Sequence, residues 1–259
     1  MSPAVPQTIA QDLYKRIELL FGSDEAPSEF TRHQLLREAQ ALSHSDAAAS
    51  SMVKAAIAAF SWDLPQAQRW VNNALHINSS VNTQINAALT YKFLNRIDLA
   101  SDISLATLRQ APLDKEVVNR TLSYLIWSGQ LERAVPIYRD ALASKVDLAD
   151  ELFDPEFYLH AMQRIGIPPQ RLVSELAAAY DVLTRSHKRG RFLSTDLEVD
   201  PESGEESVLF GIGFLGSLDD EMRLESQLAQ IFADEPGWNP SALSVELQYK
   251  QHQHADQFA

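Results

Sequence analysis

The stretch Gly129-Gln-Leu-Glu-Arg-Ala134-Val-Pro-Ile-Tyr138-Arg-Asp-Ala141-Leu142 decides the fold, because weaker copies of it occur earlier in the chain. One copy starts 34 residues before it, at Asn95, and another starts 33 residues before that, at Trp62. Small residues recur at two matched positions of these copies: Ala67, Ala100 and Ala134, and less strictly Ala74, Thr107 and Ala141. A repeat of this length is typical of helical hairpins that stack into a solenoid and bury their apolar faces against their neighbours.

The apolar pattern around the copies predicts three hairpins of two helices each. The predicted helix pairs are 46–60 with 64–77, 81–94 with 97–110, and 114–128 with 131–144. Pro65 falls in the first turn of its helix, where no intrahelical N–H is lost. A fourth hairpin, with a longer step from the third, is predicted over 154–186. The segment 46–189 is therefore predicted to be one repeat array.

Two helices that do not match the repeat are predicted before the array. The first spans 8–21 and places Ile9, Leu13, Ile17, Leu20 and Phe21 on one side. The second runs from about Thr31 to Leu42, with Gln34 placed to complete a capping box with Thr31. We expect residues 1–45 to form an N-terminal cap that covers the open end of the solenoid.

The repeated segment, about residues 46–146, resembles the tetratricopeptide repeat family. The third copy carries residues at that family's spacing: Gly129, Ala134, Tyr138 and Ala141. In the second copy Asn95 stands at the glycine position, and Pro112 lies near the family's closing proline. In the first copy Trp62 stands at the glycine position, and the family's Trp-Leu-Gly pattern is absent from all three. The resemblance implies a curved array whose concave face binds protein segments.

The pattern changes at Gly190. Alternation over 193–199 and an apolar run over 207–215 predict two strands, and Ser217 is placed to cap a helix over 218–233. A third strand is predicted over 243–250. The fold class is therefore mostly α, a tetratricopeptide-like solenoid with a small β-β-α-β unit over 190–250. Residues 251–259 are predicted to be a flexible tail.

Composition narrows the classes of function. The 35 acidic and 22 basic side chains give a formal net charge of −13, which disfavours nucleic acid and anionic membranes and suits a basic protein partner. The chain has no cysteine, so disulfides, cysteine zinc sites and thiol nucleophiles are excluded. The N-terminus does not resemble a secretory signal, and the most apolar stretch, Val208 to Leu215, is too short to span a bilayer. We expect a cytoplasmic protein without membrane insertion.

One segment matches a nucleotide-binding motif, Gly211-Ile-Gly213-Phe-Leu-Gly216. The helix after it begins with three acidic residues, which oppose a pyrophosphate, and too little chain follows for a doubly wound sheet. Close packing on the glycines is the competing interpretation, and nucleotide binding is kept as a remote alternative. The scattered histidines and serines form no catalytic or metal-binding pattern. We predict no enzyme activity, no metal and no cofactor.

The partner-binding prediction concerns three aromatic residues at matched positions in the first helix of each hairpin, Phe60, Phe93 and Trp127. In the resembled family this position lies toward the concave face, so the rings are either groove anchors or core between repeats. Lys92, Asn119 and Ser123 are placed to supply polar contacts. These residues predict a non-enzymatic adaptor or scaffold that binds a peptide or helix. The alternative is a structural subunit of a larger, bacterial-type assembly, with homo- or hetero-oligomer contacts through the C-terminal sheet edge.

Overall fold

The structure is a computed structural model that describes residues 6–22, 27–150, 152–199, 205–233 and 242–250. These residues are mostly helical and carry a small three-stranded sheet near the C-terminus, as predicted. The predicted tail, 251–259, lies outside them. The helices are α1 Pro6–Gly22, α2 Glu29–Leu42, α3 Ala47–Phe60, α4 Leu64–Ile77, α5 Val81–Phe93, α6 Ile97–Gln110, α7 Lys115–Trp127, α8 Leu131–Ala143, α9 Pro155–Arg164, α10 Pro169–Arg185 and α11 Leu218–Ala233. The strands are β1 Phe192–Val199, β2 Glu206–Leu215 and β3 Leu243–Lys250.

Four helix pairs, α3–α4, α5–α6, α7–α8 and α9–α10, are joined by turns of the same geometry. In each turn one residue has a left-handed backbone, with φ between 55° and 73°: Trp62, Asn95, Gly129 and Gly166. The N–H of the next residue donates to a carbonyl five positions back, at 2.8–3.1 Å: Asp63 to Ala58, Arg96 to Tyr91, Gln130 to Leu125 and Ile167 to Met162. This is the Schellman helix end. The repeat therefore aligned residues that share one backbone conformation.

Short polar side chains fix where many of the helices begin. Side chains that accept hydrogen bonds from the first-turn N–H groups include those of Asp46, Asp63, Ser80, Asp114 and Asp154. The capping box predicted at Thr31 is wrong, although α2 begins at Glu29, close to the predicted start. The reason is that Ser28 caps this helix, its Oγ accepting the Thr31 N–H at 3.2 Å.

The chain divides into two compact units, the first extending to Gln110 and the second starting at Ala111. This division falls inside the segment 46–189, whose organisation as one repeat array remains a prediction. In the first unit α3 is central, because it packs most closely on α4 and also contacts α1, α2 and α5. Eleven of its 14 residues are buried, five of them alanines that permit close helix approach on several sides.

The second unit holds α7 to α11 and the sheet, with strand order β1-β2-β3. β1 pairs antiparallel and β3 parallel with β2, on either side of it. Buried apolar pairs on one face set the register: Val208 with Leu243, Phe210 with Val245 and Ile212 with Leu247. Tyr158 of α9 lies against the Phe210 ring on this face. Within the predicted fourth hairpin, α9 packs mainly on α8, whereas α10 packs on α11 and β3.

Candidate functional site

In the first unit the predicted aromatic residues surround a residue of α1. The Phe21 ring stacks on Phe93 with centroids 3.6 Å apart and planes 6° apart, and on Phe60 at 4.0 Å and 19°. Two rings that stack this closely on one ring cannot lie on the same side of it, so Phe21 lies between them. Phe21 is 1% exposed and Phe60 5% exposed. Phe60 and Phe93 therefore belong to a core that α1 completes.

A polar contact near the middle of α1 joins it to α5. The Tyr14 hydroxyl lies near the side chain of Asn86, which is two turns before Phe93. Burial raises the pKa of Tyr14, so its hydroxyl stays protonated in the physiological range. We use the name acceptor face for the surface of α3 and α5 that contacts α1 through Phe60, Asn86 and Phe93. This face already holds an amphipathic helix.

The remaining contacts of α1 are modest. Arg16 donates to the Glu38 carboxylate of α2 at 2.6 Å, and both side chains are partly exposed. Apolar residues on one side of α1 are buried in the shared core: Ala10, Leu13, Ile17 and Phe21. Leu19 is 78% exposed. Helix α1 packs less extensively on α2 and α3 than α3 packs on α4.

Lys92, the predicted polar neighbour of Phe93, lies in the last turn of α5 and is half-buried. It is thus placed beside the acceptor face.

The other three predicted site residues, Trp127, Asn119 and Ser123, lie on α7 in the second unit. The Asn119 amide donates to the Lys115 and Asp147 carbonyls at 2.9 and 3.0 Å, and its oxygen accepts the Ala149 N–H at 2.8 Å. It thereby fastens the segment after α8 to α7.

Ser123 and Trp127 have simpler surroundings. The Ser123 hydroxyl donates to the Asn119 carbonyl at 2.9 Å, one turn earlier in the same helix. Trp127 is half-buried at the end of α7.

The glycine motif lies mostly inside a strand. Gly211 and Gly213 belong to β2, and the Ser194 hydroxyl donates across Gly211 to Gln248 of β3 at 3.2 Å. A Cβ on Gly211 would lie 2.4 Å from atoms of both side chains, so close packing accounts for this glycine. Ser217 caps α11 as predicted, its Oγ accepting the Asp220 N–H at 3.2 Å. This arrangement gives no support to nucleotide binding.

Carboxylates of α11 cover the outer edge of β3. Glu221 accepts the Tyr249 N–H at 2.6 Å, and Glu225 accepts the Leu247 N–H. Burial, with the nearby charges of Glu246 and Glu221, raises the pKa of Glu225 to about 7. Burial also raises the pKa of Glu246, and the charges of Glu198 and Glu221 raise it further. The Glu221 and Glu225 carboxylates therefore block this edge to further strands.

The sequence missed Phe21, Tyr14 and Asn86 as parts of the candidate site. The one available signal was the apolar side of α1, which ends on an aromatic residue.

Within the described ranges, no cluster of three or more histidine or carboxylate side chains could hold a metal ion. Each helix in these ranges is also too short or too polar to traverse a lipid bilayer. No family model, curated protein or solved structure matches the chain.

Proposed function

We propose that the chain is a non-enzymatic adaptor built from tetratricopeptide-like helical hairpins, and that it binds a protein segment on the acceptor face. One observation supports this function best: the face already accommodates an amphipathic helix, whose Phe21 ring lies between Phe60 and Phe93. Aromatic rings that grip a partner residue in this way supply much of the binding energy of protein interfaces.

Two further features are consistent with this proposal. The equal turn geometry of the four helix pairs suits stacking into a solenoid, in which first helices line one face. The net charge of −13 favours partners with basic groups around an apolar contact.

A photo-reactive amino acid at Lys92, beside the acceptor face, tests the proposal in the source cell. The control places the same amino acid at His76, an exposed residue on the second helix of the first hairpin. We expect a discrete crosslinked protein from position 92 that is absent from position 76. The same set of crosslinks from both positions, or none from position 92, would refute the adaptor function.

A second candidate function is a structural subunit that assembles through the sheet. The two edges of the sheet differ, because α11 carboxylates cover β3 whereas β1 is the opposite edge strand and ends at Val199, which is 56% exposed. Edge strands of this kind pair with other chains. Light scattering should then give an oligomer that V199K dissociates, and a monomeric unmodified chain rules this candidate out.

A further inference from the structure

We infer that α1 is a resident occupant of the acceptor face, and that the partner is an amphipathic helix that must displace α1 in order to bind. This inference rests on the proposed function and specifies the chemistry of the partner. Helix α1 itself shows which features such a partner helix needs. An occupant of this face presents apolar residues one turn apart along one side, as Leu13, Ile17 and Phe21 do on α1.

The partner helix needs one ring in a defined place. The slot between Phe60 and Phe93 is lined by aromatic faces. The centroid of the Phe21 ring in this slot lies 4.0 Å from that of Phe60 and 3.6 Å from that of Phe93. A flat ring fills such a slot better than a branched aliphatic side chain, because both of its faces make contact. A polar group two turns before that ring would lie near Asn86, as the Tyr14 hydroxyl does. The expected partner motif is therefore a polar aromatic residue followed seven positions later by an aromatic one.

Displacement of α1 is physically accessible. The two hairpins of the first unit are held by the α3–α4 and α5–α6 packing, whereas α1 buries one apolar side and packs less extensively on α2 and α3. Its charged contact, Arg16 with Glu38, is partly exposed and contributes little. Elements with few buried contacts open at lower free energy than the core of the same protein. Once α1 leaves, Phe60 and Phe93 form an exposed apolar patch, which favours a replacement helix.

The experiment uses a labelled peptide of residues 6–22 as the probe and the full chain as the receptor. Two substitutions, F21A and L13D, each weaken α1 while leaving every residue of the acceptor face unchanged. The first leaves the aromatic slot unfilled, and the second places a charge at a position that is 1% exposed. Fluorescence anisotropy measures binding of the peptide, and circular dichroism measures whether each variant keeps its helices.

We expect the peptide to bind both variants at least about tenfold more tightly than the unmodified chain, in which α1 competes for the face. A peptide carrying F21A should lose at least about tenfold in affinity, because its ring no longer enters the slot. The matched control is a peptide carrying L19A, which alters the exposed side of α1 and should bind unchanged.

Three results would overturn the inference. The peptide binds neither variant although both are folded; it binds the unmodified chain equally well; or both variants unfold, which makes α1 an integral part of the core. These results are independent of the crosslinking at Lys92. A partner captured there without peptide binding would retain the adaptor function and exclude α1 as its competitor. Peptide binding without a captured partner would retain α1 as an occupant of the acceptor face and exclude the adaptor function.

Discussion

The rings of Phe21 and Phe93 are stacked in parallel at 3.6 Å, so a residue outside the repeats connects the first helix to the second hairpin. Phe60, from the first hairpin, stacks on the same Phe21 ring. The aromatic residues that recur 33 positions apart are thus joined through α1. We expect this contact to contribute to the stability of the first unit.

The first prediction concerns the contribution of Phe60 to that core. F60A should lower the free energy of unfolding by about 3–5 kcal/mol, because it leaves a cavity beside Phe21. The matched control is F30A on α2, where the side chain is 73% exposed and the change should stay within about 0.5 kcal/mol. Urea unfolding followed by circular dichroism measures both variants. Similar losses for the two would show that Phe60 is not part of a packed core.

The second prediction separates backbone strain from close packing at two turn glycines. Gly129 and Gly166 both have φ of +73°, so alanine is strained at either position. A Cβ on Gly129 would also lie 2.9 Å from the Val173 backbone N of α10, whereas a Cβ on Gly166 meets nothing within 4 Å. G166A should cost about 1 kcal/mol from strain alone, and G129A about 1–3 kcal/mol more. Thermal unfolding gives the comparison, and equal costs would mean that α10 does not contact the α7–α8 turn.

The third prediction is a stabilising substitution after α8. Lys145 is exposed and has a φ of +56°, a conformation that costs a non-glycine residue energy. K145G should therefore raise the free energy of unfolding by about 0.5–1 kcal/mol. The control is S144G at the preceding residue, whose φ of −83° suits any residue and where glycine should destabilise. If K145G is as destabilising as S144G, the turn does not have this geometry.

The fourth prediction concerns the pH dependence of the second unit. The pKa of Glu225 rises from 4.5 to about 7 on folding, mainly through burial and with help from Glu246 and Glu221. A raised carboxyl pKa means that the folded state holds the proton more tightly. The contribution of Glu225 to stability is therefore complete below about pH 4.5 and is lost as the pH rises through about 7.

Glutamine at this position removes the ionisation but retains an oxygen for the Leu247 N–H. E225Q should be more stable than the unmodified chain at pH 8 by roughly 1 kcal/mol, a value reduced for partial exposure to solvent. D219N makes the same charge change at an exposed position of α11 and should leave the dependence between pH 4.5 and 7 unchanged. Chemical unfolding at several pH values measures the free energy of unfolding of each variant. The same pH dependence for E225Q and the unmodified chain would contradict the burial of the Glu225 carboxyl.

Much of the fold could be predicted from the sequence because the information was local. Pro65, Asn95 and Gly129 mark helix starts or turns through their own backbone preferences, and Ser217 caps α11 through a nearby N–H. Alternation of apolar residues placed β3 because it reflects one buried face, and it also placed β1, where Leu193 and Leu197 are half-buried.

The site could be predicted less well, because its contacts join distant parts of the chain. Phe21 meets Phe93 across 72 positions, and nothing in either segment alone indicates that pairing. Asn119 is predicted to contact a partner, but its side chain is hydrogen-bonded to the backbone of Asp147 and Ala149. Gly211 belongs to a segment that matches a nucleotide-binding motif, but the residues that pack on it, Ser194 and Gln248, come from two other strands.

Amide hydrogen exchange of the full chain under native conditions tests the central claim most directly. This claim is that α1 occupies the acceptor face and can detach from it while the rest of the first unit stays folded. The account predicts that amides of α1 from Leu13 to Phe21 exchange through a local opening, at a lower free energy than those of α3 and α5. Added low concentrations of urea should leave the exchange of α1 almost unchanged. Exchange of α1, α3 and α5 at one common free energy with one common urea dependence would contradict it, because α1 would then open only when the whole unit unfolds.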